Sequence, residues 1–194
     1  MSTFKNRKEA TERLALGAIF TALVILLQLL GAFIRFGTFS VSLVLAPIII
    51  GAALCGWKLG GWFGFAFGLA VLLSGDAAAF LSINPLGTVV TVLLKGTLCG
   101  LAAGLCYKFL ENRSVYLAAL VSAIAAPVVN TGVFLIGCRL FFFEAIAEWG
   151  VSAGAESTVE YMFLFLAGGN FIFELITNIV LDPVIIKILK LVKK

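Results

Sequence analysis

A lysine, two asparagines and a glutamate lie inside segments that are otherwise apolar. Lys95 stands within the run GTVVTVLLKGTLCG, and Asn130, Asn170 and Glu174 stand in two later apolar runs. A charged or amide group among apolar neighbours costs free energy unless it is paired, so such residues indicate a functional site. A cation binds carboxylates, and amides bind hydroxyl and amide groups. These residue types predict recognition of a small polar ligand.

Helical spacing places the polar side chains on two faces. Thr88, Thr91 and Lys95 are separated by three and four residues, which puts them on one face of a helix. Asn170 and Glu174 are four residues apart and share a face of the last apolar run. Each face therefore predicts a polar stripe inside an apolar helix.

The two stripes are expected at a common depth. With a rise of about 1.5 Å per residue, Lys95 and Asn170 lie about 13 Å from the same end of their helices, and Glu174 about 20 Å. Asn130 falls near the middle of its own helix. We predict a pocket formed by these groups that opens to the outside. The alternative is a purely structural ion pair between Lys95 and Glu174.

Two connecting segments are candidates to cover this pocket. IRFGTFS contains Arg35 and Thr38, and SGDAAAFLSINPLG has turn residues at Gly75 and at Asn84. We expect Arg35, Thr38 and Asn84 to add contacts to the ligand. Plain connection between helices is the alternative.

The composition identifies the environment of these elements. The chain has 194 residues, of which 62% are hydrophobic and 12% charged, and its mean hydropathy is +1.14. Soluble domains are about half apolar and a quarter charged. The sequence predicts one integral membrane domain over residues 1–194, with a cytoplasmic N-terminal segment at 1–12 and no cleaved signal peptide. The net charge of +4 requires no nucleic acid partner.

Apolar runs separated by polar breaks predict an all-α, polytopic protein with six transmembrane helices. Their predicted bounds are Leu14–Phe33, Val41–Cys55, Leu59–Ser74, Leu86–Leu110, Val115–Phe143 and Tyr161–Leu191. The second run is short for a hydrocarbon core of about 30 Å.

Basic residues fall mainly on one side of this topology. That side would carry Lys5, Arg7, Lys8, Arg13, Lys58, Lys108, Arg113, Lys187, Lys190, Lys193 and Lys194. The other side would carry only Arg35 and Arg139, together with five of the ten acidic residues: Asp76, Glu144, Glu148, Glu156 and Glu160. Cytoplasmic loops are enriched in Lys and Arg, so both termini are predicted to be cytoplasmic.

Small residues recur at spacings of three or four residues in three of the predicted helices. Glycines 60, 64 and 68 line the third, glycines 96, 100 and 104 line the fourth, and Ala15, Ala18 and Ala22 line the first. Small residues let membrane helices approach closely. Each stripe predicts either packing inside this chain or docking on another membrane subunit.

The residues that are missing exclude several classes of function. The chain has no histidine, and its four cysteines form no CxxC pair, so neither a metal site nor a cofactor is predicted. Glu174 and Asp182 are two turns apart, which does not suit a paired-carboxylate enzyme. The absence of a GxxxxGK[ST] stretch excludes a P-loop ATPase. We predict that the protein is not an enzyme.

The sequence resembles the substrate-binding S components of energy-coupling factor (ECF) vitamin transporters. ALGAIFTAL is similar to the AxxxA motif of the family's first helix, here Ala18 and Ala22, and LLKGTLCGLAAGL to its fourth helix. The block FGTFSVSLVLAPIIIGAALCGWKLGGWFGFAFGLA resembles the first loop through the third helix. IAAPVVNTGVFLIG looks like the fifth helix of pantothenate-type members.

The resemblance implies a multi-pass protein of a prokaryotic cell membrane that binds a vitamin from outside. It also implies partners: a transmembrane T component that contacts the alanine stripe of the first helix, and two ABC ATPase subunits. Pantothenate is the expected ligand, because it combines a carboxylate, an amide and hydroxyl groups. Riboflavin, folate, a pyridoxine-type vitamin or a thiamin precursor are alternatives. Outside this class, a stand-alone carrier and a structural cell-envelope protein without ligand also remain.

Overall fold

Helices form nearly all of the described structure, which is a computed structural model covering residues 2–32, 35–36, 39–40 and 43–192, with side chains described at 11–32 and 43–191. The helices are α1 (Ser2–Gly31), α2 (Leu45–Cys55), α3 (Trp57–Ser74), α4 (Ala78–Leu81), α5 (Pro85–Leu110), α6 (Val115–Phe141), α7 (Phe143–Ser152), α8 (Thr158–Glu160) and α9 (Gly169–Val192), with a π-helical segment at Tyr161–Gly168 between α8 and α9.

A very short strand pair lies between α1 and α2. The strands β1 (Arg35–Phe36) and β2 (Phe39–Ser40) are antiparallel, with Arg35 opposite Ser40. The sequence analysis expected no strands. The exception is confined to two residues on each side of one turn, and the described structure is otherwise helical, as predicted.

In the part of the chain that the structure describes, four helices are long and apolar enough to cross a membrane. They are the part of α1 at Thr11–Gly31 together with α3, α5 and α6. Large apolar side chains cover the outside of the bundle, including Leu73, Leu86 and Val180. Extensive apolar surface of this kind needs lipid or another protein around it. The structure is therefore that of a multi-pass membrane protein, while the count of six spans and the side of the termini stay predictions.

The short helix α2 lies in the middle of the bundle. All of its residues except Leu54 are buried, and it packs against α1, α3, α5, α6 and α9. Its 11 residues reach only about 16 Å, so α2 is too short to cross a bilayer by itself. Its residues are apolar on every face because every face meets another helix.

The glycine stripes of α3 and α5 pack directly on each other. A Cβ atom added at Gly60 would lie 2.6 Å from the Gly100 carbonyl oxygen, and one at Gly64 would overlap the Gly96 carbonyl. Only glycine permits this backbone contact. These two stripes serve packing inside the chain, which is the first of the two predicted alternatives, and they fix the rotation of α5 that turns Lys95 inward.

Candidate functional site

A cavity of about 180 Å³ lies at the end of the bundle where α3 turns into α4. It is bounded by side chains from α1, α3, α5, α6, the π-helical segment and α9. The predicted ligand-binding residues among its lining are Thr88, Thr91, Lys95, Asn130, Asn170 and Glu174. The two predicted polar stripes therefore face each other across one space, as their spacing indicated.

Glu174 accepts hydrogen bonds from two asparagines at the cavity, Asn130 and Asn170. Its side chain is 1% exposed. The Asn130 Nδ2 amide donates to Glu174 Oε2 at 3.2 Å, and the Asn170 Nδ2 amide donates to Oε1 at 3.1 Å. Each carboxylate oxygen thus has an amide donor, which offsets part of the cost of burying the carboxylate.

Lys95 has no comparable partner. Within the described part of the chain its ammonium makes no hydrogen bond or ion pair. It lies over the rings of Phe67 and Phe134, with its nitrogen 5.8 Å and 5.3 Å from the ring centres. Aromatic faces attract cations, but more weakly than a carboxylate does at contact. Glu174 attracts Lys95 electrostatically, and a direct ion pair between them is absent from the described structure.

Two acceptor atoms of the lining are buried without a hydrogen bond among the described residues. They are the amide oxygen Oδ1 of Asn130 and the hydroxyl oxygen of Thr91, whose side chains are 3% and 4% exposed. Thr88 differs, because its hydroxyl donates to the Asn84 carbonyl at 2.8 Å. Buried polar atoms normally have partners. Together with Lys95, these atoms leave the cavity with unused capacity to bind a polar ligand.

Comparison with known proteins gives the family. The sequence model described as "ECF transporter, substrate-specific component" matches residues 12–189. The chain belongs to this family. It is also 26% identical over 197 residues to a protein named Pantothenic acid transporter PanT from Lactococcus lactis subsp. cremoris (strain MG1363), with 93% of this chain and 94% of the relative covered. No solved structure matches the chain.

In this ECF substrate-specific component, several aromatic side chains that contact one another lie at the cavity. Phe80 of α4 contacts Phe134, Phe142 and Trp149, with ring centres 5.7, 5.0 and 5.5 Å apart. Phe80, Phe134 and Phe142 all line the cavity. The segment SGDAAAFLSINPLG therefore contributes Phe80 to the cavity lining, and its role as a cover stays a prediction. Trp149 belongs to α7, which the sequence analysis did not predict as a helix, since its fifth run ended at Phe143.

The sequence analysis also missed Gln28 and Asp76 as lining residues. Gln28 of α1 is 4% exposed, and its amide donates to Asp76 Oδ2 at 2.7 Å. Gln28 is an amide inside the apolar first run, which is the same signal that selected Asn130. Asp76 was assigned to the acidic outer connection and not to the pocket.

Other predicted ligand-binding residues have different positions. Asn84 is not among the lining residues, and its side chain caps α5 by accepting a hydrogen bond from the Gly87 amide at 2.9 Å. Thr38 and the side chain of Arg35 lie outside the described residues. Whether these three contact a ligand stays a prediction.

The alanine stripe of α1 lies on the surface. Ala15, Ala18 and Ala22 are exposed, whereas the buried face of α1 carries Phe20 and Val24. The stripe therefore does not pack inside this chain. It is a smooth surface that another membrane helix could approach closely.

A second cavity, of about 320 Å³, lies near the turn between α2 and α3. Arg13, Lys108 and Glu111 line it, so basic residues predicted to be cytoplasmic do meet at one end of the bundle. The described residues contain no group of three or more His, Cys, Asp or Glu placed to hold a metal ion. The cysteines are free thiols, and three of them, Cys55, Cys99 and Cys138, are buried.

Proposed function

We propose that this protein is the high-affinity substrate-binding subunit of an ECF-type importer, and that it captures pantothenate from outside the cell. The cavity between α5, α6 and α9 is the binding site. The chain binds the vitamin and supplies no ATPase activity of its own. A transmembrane T component and two ABC ATPase subunits complete the transporter.

The observation that carries this proposal is the isolated ammonium group of Lys95. Both carboxylates of the cavity already have amide donors, since Asp76 accepts from Gln28 and Glu174 accepts from two asparagines. Lys95 alone lacks a partner of opposite charge at contact distance among the described residues. A ligand carboxylate would supply that partner through a charge-assisted hydrogen bond.

The remaining groups of pantothenate suit the rest of the lining. Its hydroxyls and amide N–H can donate to the free oxygens of Asn130 and Thr91, and its dimethyl carbon can pack on Phe80 and Phe134. The cavity of about 180 Å³ is smaller than the roughly 300–1,000 Å³ of sites for drug-sized molecules. A small, flexible vitamin fits such a space better than riboflavin or folate. The name of the Lactococcus relative agrees with this choice.

The proposed transport cycle uses the two ends of the molecule differently. The vitamin enters from outside the cell, beneath α4 and α7. Both termini of the protein lie in the cytoplasm of a prokaryotic cell. The exposed stripe of Ala15, Ala18 and Ala22 contacts the T component. A different small vitamin is the second candidate, favoured by the two carboxylates, Asp76 and Glu174, that line the cavity together with Lys95.

Isothermal titration of the purified full chain with a panel of vitamins tests the proposal. Pantothenate should bind, and Lys95→Met should weaken its binding about ten- to a hundredfold, since a charge-assisted hydrogen bond contributes about 1.5–3 kcal/mol. Lys95→Arg should retain most of the affinity. The control is Lys108→Met, which removes a positive charge at the other cavity and should change nothing. Equal affinity of wild type and Lys95→Met would remove Lys95 from the site.

A further inference from the structure

We propose that Glu174 is a positioning residue that fixes the direction of the hydrogen bonds the cavity offers to its ligand. The proposal concerns the carboxylate–diamide cluster, which we define as Glu174 with Asn130 and Asn170. It rests on the proposed function in so far as the cavity is the vitamin site. It adds a role for Glu174 that requires no contact between this residue and the ligand.

The direction follows from the chemistry of the cluster. An ionised carboxylate has no proton to donate and only accepts hydrogen bonds, whereas each asparagine amide has a donor end and an acceptor end. Because both amide Nδ2 groups donate to Glu174, both amide groups turn their donor ends toward the carboxylate. A rotation of either amide by half a turn would set oxygen against oxygen. The buried carboxylate therefore selects one orientation for each asparagine.

The consequence lies on the cavity side of the cluster. With its Nδ2 group engaged by Glu174, Asn130 holds its Oδ1 atom as a buried acceptor without a partner among the described residues. Asn170 also lines the cavity, and no hydrogen bond to its Oδ1 atom is present in the described structure. The cluster thus offers two acceptors. Lys95, on the facing helix, is the cation of the same cavity.

This arrangement specifies a class of ligand. The ligand must bring hydrogen-bond donors, such as hydroxyl or amide N–H groups, to the side of α6 and α9. It must bring an acceptor, best a carboxylate, to Lys95 on α5. A molecule of similar size with ether oxygens in place of its hydroxyls would leave the buried amide oxygens unpaired, which is costly in a dry site. Discrimination between donors and acceptors is therefore the task we assign to Glu174.

The first test uses no ligand and measures the melting temperature of the purified protein. Asn130→Asp sets a second carboxylate against Glu174 and should lower the melting temperature by at least about 4 °C. Adding Glu174→Gln should restore most of the loss, because the glutamine introduced at position 174 can donate to the aspartate introduced at 130. An unchanged melting temperature for Asn130→Asp, or no recovery in the double variant, would overturn the proposed direction.

The second test compares ligand discrimination by isothermal titration. The probes are pantothenate, its derivative with both hydroxyls methylated, and pantothenol, in which a hydroxymethyl group replaces the carboxylate. Wild type should bind the methylated derivative at least about tenfold more weakly than pantothenate. In Glu174→Gln, either Asn130 or Asn170 must turn its amide oxygen toward the side-chain NH₂ at position 174, and it then presents a donor to the cavity. The preference for pantothenate over the methylated derivative should therefore fall to about threefold or less.

Two further comparisons separate this role from a general loss of structure. Glu174→Gln should keep the preference for pantothenate over pantothenol. Lys95→Met should lose that preference but keep the preference for pantothenate over the methylated derivative. Asp182→Asn, which removes a carboxylate of α9 that is not in the cavity lining, should keep both preferences. A Glu174→Gln protein that still rejects the methylated derivative tenfold would refute the inference. Failure of wild type to bind pantothenate would refute the proposed vitamin, and the melting experiment would then decide the role of Glu174 alone.

Discussion

Replacing Gly64 by alanine should loosen the bundle at the level of Lys95. Gly64 belongs to the third helix, and the Cβ atom of an alanine there would overlap the carbonyl group of Gly96 and lie 3.2 Å from the Cα atom of Thr97. All of these are backbone atoms, so no side-chain rotation can relieve the contact. Helices α3 and α5 would have to separate.

The expected loss of stability can be estimated from two opposing terms. Alanine stabilises a helix relative to glycine by about 1 kcal/mol. Overpacking a tight contact costs about 1–3 kcal/mol, and a contact with backbone atoms should cost close to the upper value. The net loss is about 1–2 kcal/mol. For a chain of this length, that corresponds to a fall of about 2–8 °C in melting temperature.

Thermal unfolding of the purified protein, with and without pantothenate, measures both consequences. Separation of α3 from α5 should also draw Phe67 away from Lys95, so vitamin affinity should fall together with stability. The control is Gly132→Ala on α6, where an added Cβ would meet no atom within 4 Å. It should be neutral or slightly stabilising. Equal melting temperatures for the two alanine variants would refute the packing argument.

The other predictions concern docking and topology. Replacing Ala18 and Ala22 by leucine should abolish uptake by the assembled transporter while pantothenate binding to the purified subunit stays unchanged; lost binding with intact assembly would contradict a docking role. Cysteines introduced singly at Ser152 and Asn112 test the orientation, because both positions are exposed in connecting segments. A membrane-impermeant reagent applied outside intact cells should label position 152 and spare 112, and the reverse pattern would invert the topology.

The long helices could be predicted closely from the sequence because their ends carry strong local signals. The third helix begins two residues before its predicted start and ends at Ser74 as predicted. Helix α5, the fourth predicted run, begins at Pro85, next to the capping residue Asn84, and ends at Leu110 as predicted. Proline at the first helical position and a capping asparagine need no tertiary contacts to be recognised.

The short elements could not be predicted in the same way. Helix α7 continues almost directly from α6, since only Phe142 separates them, and no glycine, proline or polar run marks the break. The fifth predicted run therefore ended at Phe143, two residues beyond the end of α6, and the rest of α7 was left in a connecting segment. The ring contacts of Phe80 with Phe134 and Trp149 join distant parts of the chain. Phenylalanine alone carries no signal that distinguishes a ligand cavity from ordinary packing.

Six of the predicted ligand-binding residues do line one cavity, whereas the lining residues Gln28 and Asp76 were missed and the contacts within the site were not predictable. Buried polar groups in apolar helices are few, so Lys95, Asn130 and Glu174 stood out, and helical spacing was enough to bring them to one level. The pairing among them depends on side-chain directions that a rise per residue does not give. For that reason the sequence left open a direct ion pair between Lys95 and Glu174, whereas in the structure the asparagines occupy Glu174 and Lys95 lies over two phenylalanine rings.

The burial of α2 has a consequence for how the protein is made. A helix of about 16 Å is held in the membrane by its neighbours, and Gly56 alone joins it to α3. One of those neighbours, α9, is translated after all the other elements described above. Until α9 leaves the ribosome, one side of α2 lacks its partner, and Asn170 and Glu174 have not yet reached Lys95. A nascent chain stalled before α9 would therefore possess the ammonium group of Lys95 without Asn170 and Glu174, so the ability to bind a vitamin should arise only after α9 has been synthesised.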